Sequence, residues 1–185
     1  MVTAVGKKVQ NFYNKTPFPN YELSRFNSKE DLKIAASSFA QILDRSIPKD
    51  ATIIDVGTGT GQLSAFLSLR RECVYGIDFS DASLNKAKAL KEKLKLKYLH
   101  LKKVDILDEK QINQLGKFDY VLCFGVLHHT SDAYRGFKNI LSLLKPKGYI
   151  AIGLYNKIGR TPLKIRRLLM RTVFKNNDKV KIWFI

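Results

Sequence analysis

The chain has 185 residues, of which 45% are hydrophobic and 11% aromatic, enough apolar side chains for the core of one globular domain. Its 33 basic and 16 acidic residues give a net charge of +17. No run suits a membrane-spanning helix, the amino terminus lacks the apolar stretch of a secretory signal, and the cysteines and histidines show no metal-site spacing. We therefore expect a soluble, cytoplasmic protein without a metal site.

The positive charge is concentrated in two segments. Residues 86–103 hold eight Lys and one Glu, and residues 160–185 hold eight Lys or Arg and one Asp. In the second segment, basic residues at helical spacing predict a stripe along one helix face. Such a stripe suits nucleic acid or an anionic membrane surface, although a solvated face is the interpretation that we favour. The stripe consists of Lys164, Arg167, Arg171 and Lys175.

Extended and helical patterns alternate along the chain. Residues 11–21 place aromatic residues around two prolines and predict an extended or irregular arm. Ser28 followed by Asp31 predicts a capped helix start, and apolar residues at helical spacing continue one helix until shortly before Pro48. Further on, we expect strands at 51–56, 73–78, 98–104, 119–124 and 149–155, helices at 62–70, 81–95 and 133–144, and a turn at 145–148.

This alternation predicts an α/β fold with a Rossmann-like, doubly wound, mostly parallel sheet in a three-layer αβα arrangement. Residues 1–50 would form an amino-terminal arm and helix that cap the same domain, and residues 51–160 the ligand-binding core. Residues 161–185 would form a basic carboxyl-terminal helix. The arm's aromatic side chains either cover the site or dock the arm onto the core, and we favour docking. These side chains are Phe12, Tyr13, Phe18 and Tyr21.

A glycine-rich loop follows the first predicted strand. Its residues are Asp55, Val56, Gly57, Thr58, Gly59, Thr60 and Gly61. Ligands of open parallel sheets bind at the carboxyl ends of the strands, and glycine lets a ligand approach the backbone closely. A dinucleotide-binding loop would place its third glycine one position later, where Gln62 stands, so a dehydrogenase is less favoured.

Acidic residues also follow the second and third predicted strands. Asp78 is suited to accept hydrogen bonds from both hydroxyls of a ribose. Asp105 is suited to accept from the exocyclic amine of adenine, with Phe79 and Ile106 on the two faces of the ring. Each acid could instead be an ordinary strand-end turn residue. The third acid favours a nucleoside cofactor that lacks a pyrophosphate.

From Thr52 to Tyr155, the sequence resembles the class I S-adenosylmethionine-dependent methyltransferases of the small-molecule type. The resemblance rests on the glycine loop, on FDYVLCFGVLHHT at 118–130 and on LKPKGYIAI at 144–152. It implies that the loop binds the methionine part of the cofactor. The implied S-adenosyl-L-methionine contacts are Asp55, Gly57, Thr58, Gly59, Gly61, Asp78, Phe79, Asp105, Ile106 and Phe124. The family's sheet normally ends in an antiparallel strand pair that this chain apparently lacks, so we expect either a minimal or a truncated domain.

Methyl transfer from a sulfonium needs an aligned nucleophile and exclusion of water more than a covalent residue. A general base would help a hydroxyl, thiol or acidic carbon acceptor. His128 and His129, on the loop after the fourth predicted strand, are the candidates, with His128 preferred and a packing role as the alternative. We predict methyl transfer to a small-molecule acceptor. An RNA methyltransferase and an inactive cofactor-binding module stay open, and the residues do not predict the oligomeric state.

Overall fold

The structure, a computed structural model, describes residues 4–154 of the chain. The helices within this range are α1 (Ala4–Lys15), α2 (Lys29–Ala35), α3 (Ser38–Ser46), α4 (Gln62–Leu67), α5 (Asp81–Lys93), α6 (Glu109–Asn113) and α7 (Ala133–Leu141). The strands are β1 (Ile53–Val56), β2 (Val74–Asp78), β3 (Leu99–Lys103), β4 (Phe118–Phe124) and β5 (Leu144–Gly153). Short 3₁₀ turns cover Leu23–Arg25 and Leu127–His129. None of these helices is long and apolar enough to cross a membrane.

The strands form one sheet in the order β3-β2-β1-β4-β5, and every neighbouring pair is parallel. The chain moves outward from β1 through β2 to β3 and then returns to place β4 on the other side of β1. At the end of β1, Val56 is level with Ile77 on one side and with Cys123 on the other. This reversal makes the carboxyl end of β1 the topological switch point, where open α/β sheets bind ligands.

Side chains alternate between the two faces of the sheet and build a core on each. Ile53 and Leu122 pack on the face covered by α2, α3, α4 and α5. Ile54 and Val121 pack on the opposite face, which α6 and α7 cover. The predicted Rossmann-like, three-layer αβα fold is therefore confirmed, and the residues up to Gly153 form one compact unit.

The amino-terminal prediction was wrong in two respects. The expected arm at 11–21 is helical as far as Lys15, because α1 packs against α5 and gains tertiary support there. The single helix expected after Ser28 is divided between α2 and α3. The Ser37 hydroxyl accepts a hydrogen bond from the Ala40 N–H at 3.2 Å and starts α3, while Ala36 adopts an extended conformation that ends α2.

Two further differences lie in the second half of the sheet. The turn expected at 145–148 is part of β5, where Lys147 has a φ of 65° and the register shifts between Phe118 and Tyr120. Helix α6 was not predicted, and it begins where the Asp108 carboxylate accepts from two backbone N–H groups. The expected strand end at 155 and the basic helix at 161–185 lie outside the described residues.

Candidate functional site

The glycine-rich loop leaves β1 at the switch point with three glycines at positive φ, from 57° to 80°. A Cβ atom at Gly57 would lie 2.2 Å from Val126 Cγ2, and one at Gly59 would lie 2.2 Å from the carbonyl oxygen of Phe18. Both distances are far below van der Waals contact. The glycines are therefore required by the backbone conformation and by two other segments of the chain that pack against the loop.

One of these segments is the stretch after α1, which forms hydrogen bonds with Thr60 of the glycine loop. The Thr60 N–H donates to Phe18 O at 3.3 Å, and its hydroxyl donates to Pro19 O at 2.7 Å. The Tyr21 hydroxyl donates to Thr60 O at 2.8 Å, and the Tyr21 ring is buried. Tyr21 thus docks the arm onto the core, whereas Phe18 stays 69% exposed. These contacts have no local signal in the sequence beyond the aromatic content of the arm.

Asp55 is a buried carboxylate at the start of this loop, with 4% of its surface exposed. It accepts a hydrogen bond from the Thr58 hydroxyl at 2.8 Å, and that hydroxyl lies 2.7 Å from Ser64 Oγ. Burial raises the pKa of Asp55 to about 7, the Thr58 bond lowers it in part, and the nearby Asp78 charge raises it further. The site therefore holds a carboxyl group that titrates near neutral pH.

Asp78, at the end of β2, ties the loop to the neighbouring strand. Its two carboxylate oxygens accept from the N–H groups of Gly59 and Ser80, both at 2.8 Å. Burial raises the pKa of Asp78, and these backbone bonds offset part of that effect. Within residues 4–154, neither Asp55 nor Asp78 forms an ion pair. A buried carboxylate and a half-buried one, both without a cationic partner in this part of the chain, fit a positively charged ligand, although the chain as a whole is strongly basic.

The residues expected near adenine occupy two adjacent loops. Phe79 is half-buried, and its carbonyl accepts from the Gln10 side chain at 3.1 Å. Asp105 is also half-buried, and its Oδ1 accepts from the Leu107 N–H at 2.9 Å, which is turn chemistry. Ile106 is 7% exposed and belongs mainly to the core. Asp105 Oδ2 forms no hydrogen bond within the described part of the chain, so it retains the capacity to accept one.

His128 and His129 lie on the 3₁₀ turn after β4. Their ring centroids are 4.2 Å apart, and the His129 ring meets Tyr13 of α1 edge-on at 6.3 Å. Both ring nitrogens of His128 are buried. Helix α1 thus reaches the histidine turn through Tyr13 and the loop after β2 through Gln10.

A cavity of about 280 Å³ opens beside the glycine loop. It joins the loop to residues 18–40 and to the end of β4, a grouping that the sequence analysis did not predict. Phe39 of α3 is 49% exposed, and its ring meets Phe124 edge-on at 4.9 Å. The lining consists of Phe18, Pro19, Phe26, Leu32, Ala35, Ala36, Ser37, Phe39, Ala40, Asp55, Gly57, Thr58, Gln62, Leu63, Phe66 and Phe124.

The fold and the site define a class of protein: a doubly wound α/β domain with a glycine loop and acids at the ends of β1 and β2, suited to a cationic nucleoside. A family model described as a methyltransferase domain matches residues 47–181. The chain belongs to this family, that of the S-adenosylmethionine-dependent methyltransferases. The implied cofactor is thereby confirmed at the level of the family.

Individual relatives and structures agree with this assignment. A ubiquinone biosynthesis O-methyltransferase of Colwellia psychrerythraea is 36% identical over 110 residues, which are 58% of this chain and 43% of the relative. PKMT2 of Rickettsia typhi, solved in complex with AdoHcy, superposes with a TM-score of 0.59 at 26% identity over 70% of this chain and 26% of that one. The chain spans less than half the length of the curated relatives that it matches.

The same fold occurs in the magnesium protoporphyrin IX methyltransferase (ChlM) of Synechocystis PCC 6803, solved with bound SAH. It superposes with a TM-score of 0.63 at 22% identity, over 88% of this chain and 78% of that one. At this identity the likeness is one of fold. This similarity of fold covers most of the chain's length.

Proposed function

We propose that this domain transfers the methyl group of S-adenosylmethionine to an oxygen atom of a small molecule. The observation that carries the proposal is the pair of carboxylates at the switch point, buried Asp55 and half-buried Asp78, neither of which forms an ion pair within the described residues. A cationic cofactor would supply the positive charge that they lack. The relatives named as ubiquinone biosynthesis O-methyltransferases support oxygen as the acceptor atom and a small molecule as the substrate class.

Each predicted cofactor contact has a physical role in this proposal. Asp78 would accept from the ribose hydroxyls with the carboxylate lone pairs that Gly59 and Ser80 leave open. Asp55 would balance the ammonium group of the methionine part. Asp105 would accept from the adenine amine, beside Phe79 and Ile106. The remaining contacts would be backbone and van der Waals contacts of Gly57, Thr58, Gly59, Gly61 and Phe124.

When bound, S-adenosylmethionine supplies an electrophilic methyl group on a sulfonium. The chain's part is to hold the acceptor oxygen in line with that methyl group, exclude water and take up the hydroxyl proton. Phe39, Phe66 and Phe124 would exclude water on the cavity side. The histidine pair would take up the proton through a water molecule, since neither histidine is among the described residues that line the cavity.

Calorimetry with S-adenosylmethionine and with S-adenosylhomocysteine tests the cofactor part of the proposal. The unmodified chain is expected to bind both, and Asp78→Ala is expected to lose most of the affinity, because the ribose acceptors and the tie to Gly59 disappear. Asp81→Ala is the matched control, since Asp81 is exposed and pairs with Lys103 on the surface. Absence of binding to the unmodified chain would refute the proposal.

The proton acceptor is tested by pH–rate profiles of His128→Asn and His129→Asn. Asparagine keeps hydrogen-bonding capacity near that position but cannot take up a proton at neutral pH. Loss of the acidic limb of the profile in one variant, with cofactor affinity retained, is expected for the base. An unchanged profile in both variants would assign the histidines to packing.

A further inference from the structure

The cavity beside the glycine loop has two different ends. One end is formed by the loop that the proposed function assigns to the methionine part of the cofactor, with Asp55, Gly57 and Thr58. The other end is formed by α2, α3, the stretch after α1, and Phe124 at the end of β4. A cofactor held by the loop would therefore border a space whose far walls belong to other elements.

Those far walls offer very few polar groups. Among the cavity-lining side chains that fall within residues 4–154, Asp55 is the one ionisable group, and there is no lysine, arginine or histidine. The Thr58 hydroxyl already bonds to Asp55, and the Ser37 hydroxyl caps α3. The side-chain amide of Gln62 makes no hydrogen bond within residues 4–154 and is the polar group left for a ligand. A ligand with many charges or hydroxyls would lose its hydration there without compensation.

Five of the cavity-lining side chains are phenylalanines. Phe39 and Phe124 meet edge-on at 4.9 Å, and Phe66 and Phe26 are both buried behind the cavity. Aromatic faces and edges favour packing with another ring. Phe18 and Phe39, which are 69% and 49% exposed, stand where the cavity meets the surface.

The cavity volume limits the size of what can enter. An apolar cavity of roughly 150 Å³ holds one benzene ring. The 280 Å³ found here must also admit the amino acid end of the cofactor, so the space left is about that of one ring. A nucleotide of RNA, with its phosphate and sugar, is larger than this space and finds no basic partner among the described residues that line it.

We propose that the acceptor is a compound with a single apolar ring that carries the reactive hydroxyl, that is, a phenol. Its ring would pack among Phe39, Phe66 and Phe124, its hydroxyl would face the cofactor beside Gln62, and a further substituent would leave past Phe18. The acceptor oxygen forms the new bond to the methyl carbon as the carbon–sulfur bond breaks. The electron pair of that bond stays on sulfur as a thioether, and the phenol proton passes through a water molecule to the histidine pair that the proposed function names as the base. This inference rests on the proposed function and names its substrate class.

Two probes that differ in one group test the inference. 4-Methylcatechol and 3,4-dihydroxybenzoate share a ring and two hydroxyls, but one carries a methyl group where the other carries a carboxylate. The readouts are formation of S-adenosylhomocysteine and calorimetric binding of each probe to the chain saturated with that product. We expect 4-methylcatechol to be preferred by at least about tenfold, since burying the carboxylate near Asp55 is unfavourable.

A substitution in the far wall locates the ring. Ala36 lines the cavity from between α2 and α3 and is half-buried. Ala36→Leu is expected to weaken 4-methylcatechol binding by about tenfold or more because it fills the space of the ring. Ala36→Ser nearly keeps the size and is the matched control. S-adenosylmethionine affinity, which should stay within about twofold in both variants, reports on folding.

The outcomes separate the two proposals. If the unmodified chain binds no S-adenosylmethionine, the proposed function fails. If it binds the cofactor but prefers the carboxylate probe, binds neither probe or methylates RNA instead, the inference about the acceptor fails and the cofactor assignment stands. If Ala36→Leu binds 4-methylcatechol as well as Ala36→Ser does, the ring lies elsewhere and the inference is also overturned.

Discussion

Replacing Asp55 by Asn is expected to stabilise the ligand-free chain at alkaline pH. Folding buries the Asp55 carboxyl and raises its pKa from 3.8 to about 7, so the folded chain holds a proton that the unfolded chain releases. The stability contributed by this proton is complete below pH 3.8 and is lost as the pH rises through 7. Asn cannot ionise, and its amide oxygen can still accept the Thr58 hydrogen bond.

The size of the effect follows from the shift. At 1.36 kcal/mol for each pKa unit, the raised pKa of Asp55 makes the free energy of unfolding about 4 kcal/mol lower in alkaline than in acidic solution. About 2 kcal/mol of this falls between pH 5.5 and pH 8.5. We assume a typical dependence of the free energy of unfolding on urea concentration for a chain of this size. The difference between the variant and the unmodified chain in the urea concentration at the midpoint of unfolding should then grow by about 1 M over that pH range.

Urea unfolding of both chains at pH 5.5 and pH 8.5, without cofactor, measures this difference. Asp81→Asn is the control for the loss of a carboxylate, because Asp81 lies on the surface. If the Asp55→Asn variant gains no stability relative to the unmodified chain between the two pH values, Asp55 is not a buried acid that titrates near neutral pH. The same substitution should weaken S-adenosylmethionine binding, since the negative charge opposite the cofactor's ammonium group is gone.

Two further substitutions test the packing around the site. Gly59→Ala should lower the free energy of unfolding by about 1–3 kcal/mol and weaken cofactor binding, since its Cβ would collide with Phe18 O. Gly116→Ala is the control, because Gly116 also has a positive φ but has open space around it. This control measures the backbone strain alone. Arg71→Ala should lower the free energy of unfolding by about 3–5 kcal/mol, because the Arg71 side chain is fully buried and holds the end of α3 to α4. Arg45→Ala is the control and should change the free energy of unfolding little, because Arg45 is exposed. Chemical denaturation measures both pairs, and equal losses within either pair would contradict the explanation.

From β1 onward, most elements were predictable because their signals are local. β1 is buried along its whole length and is apolar except for Asp55, and Ser80 caps α5 by accepting from the Ser83 N–H at 3.2 Å, three residues on. The segment before β1 was predicted less well, because tertiary contacts decide its structure. Helix α1 depends on packing against α5, and the break before Ser37 lies within an unbroken helical spacing of apolar residues.

The same distinction between local signals and tertiary contacts applies to the candidate site. Asp55 and Asp78 could be placed together from the sequence, because the ends of adjacent parallel strands meet at one edge of the sheet. The cavity could not be predicted, since it requires knowing that Phe39 of α3 lies against Phe124 of β4. The roles of the histidines and of Asp105 stay predictions.

The hydrogen bonds and cavity walls contributed by residues 18–40 have a consequence for how such enzymes diversify. The family model begins at residue 47, so every wall residue from Phe18 to Ala40 lies before the matched region. In the acceptor site that we propose, this stretch supplies much of the wall, while Gln62, Phe66 and Phe124 come from the matched region. Substitutions at residues 32–40 are therefore the ones expected to alter acceptor preference without disturbing the hydrogen bonds that Phe18 and Pro19 make to the glycine loop.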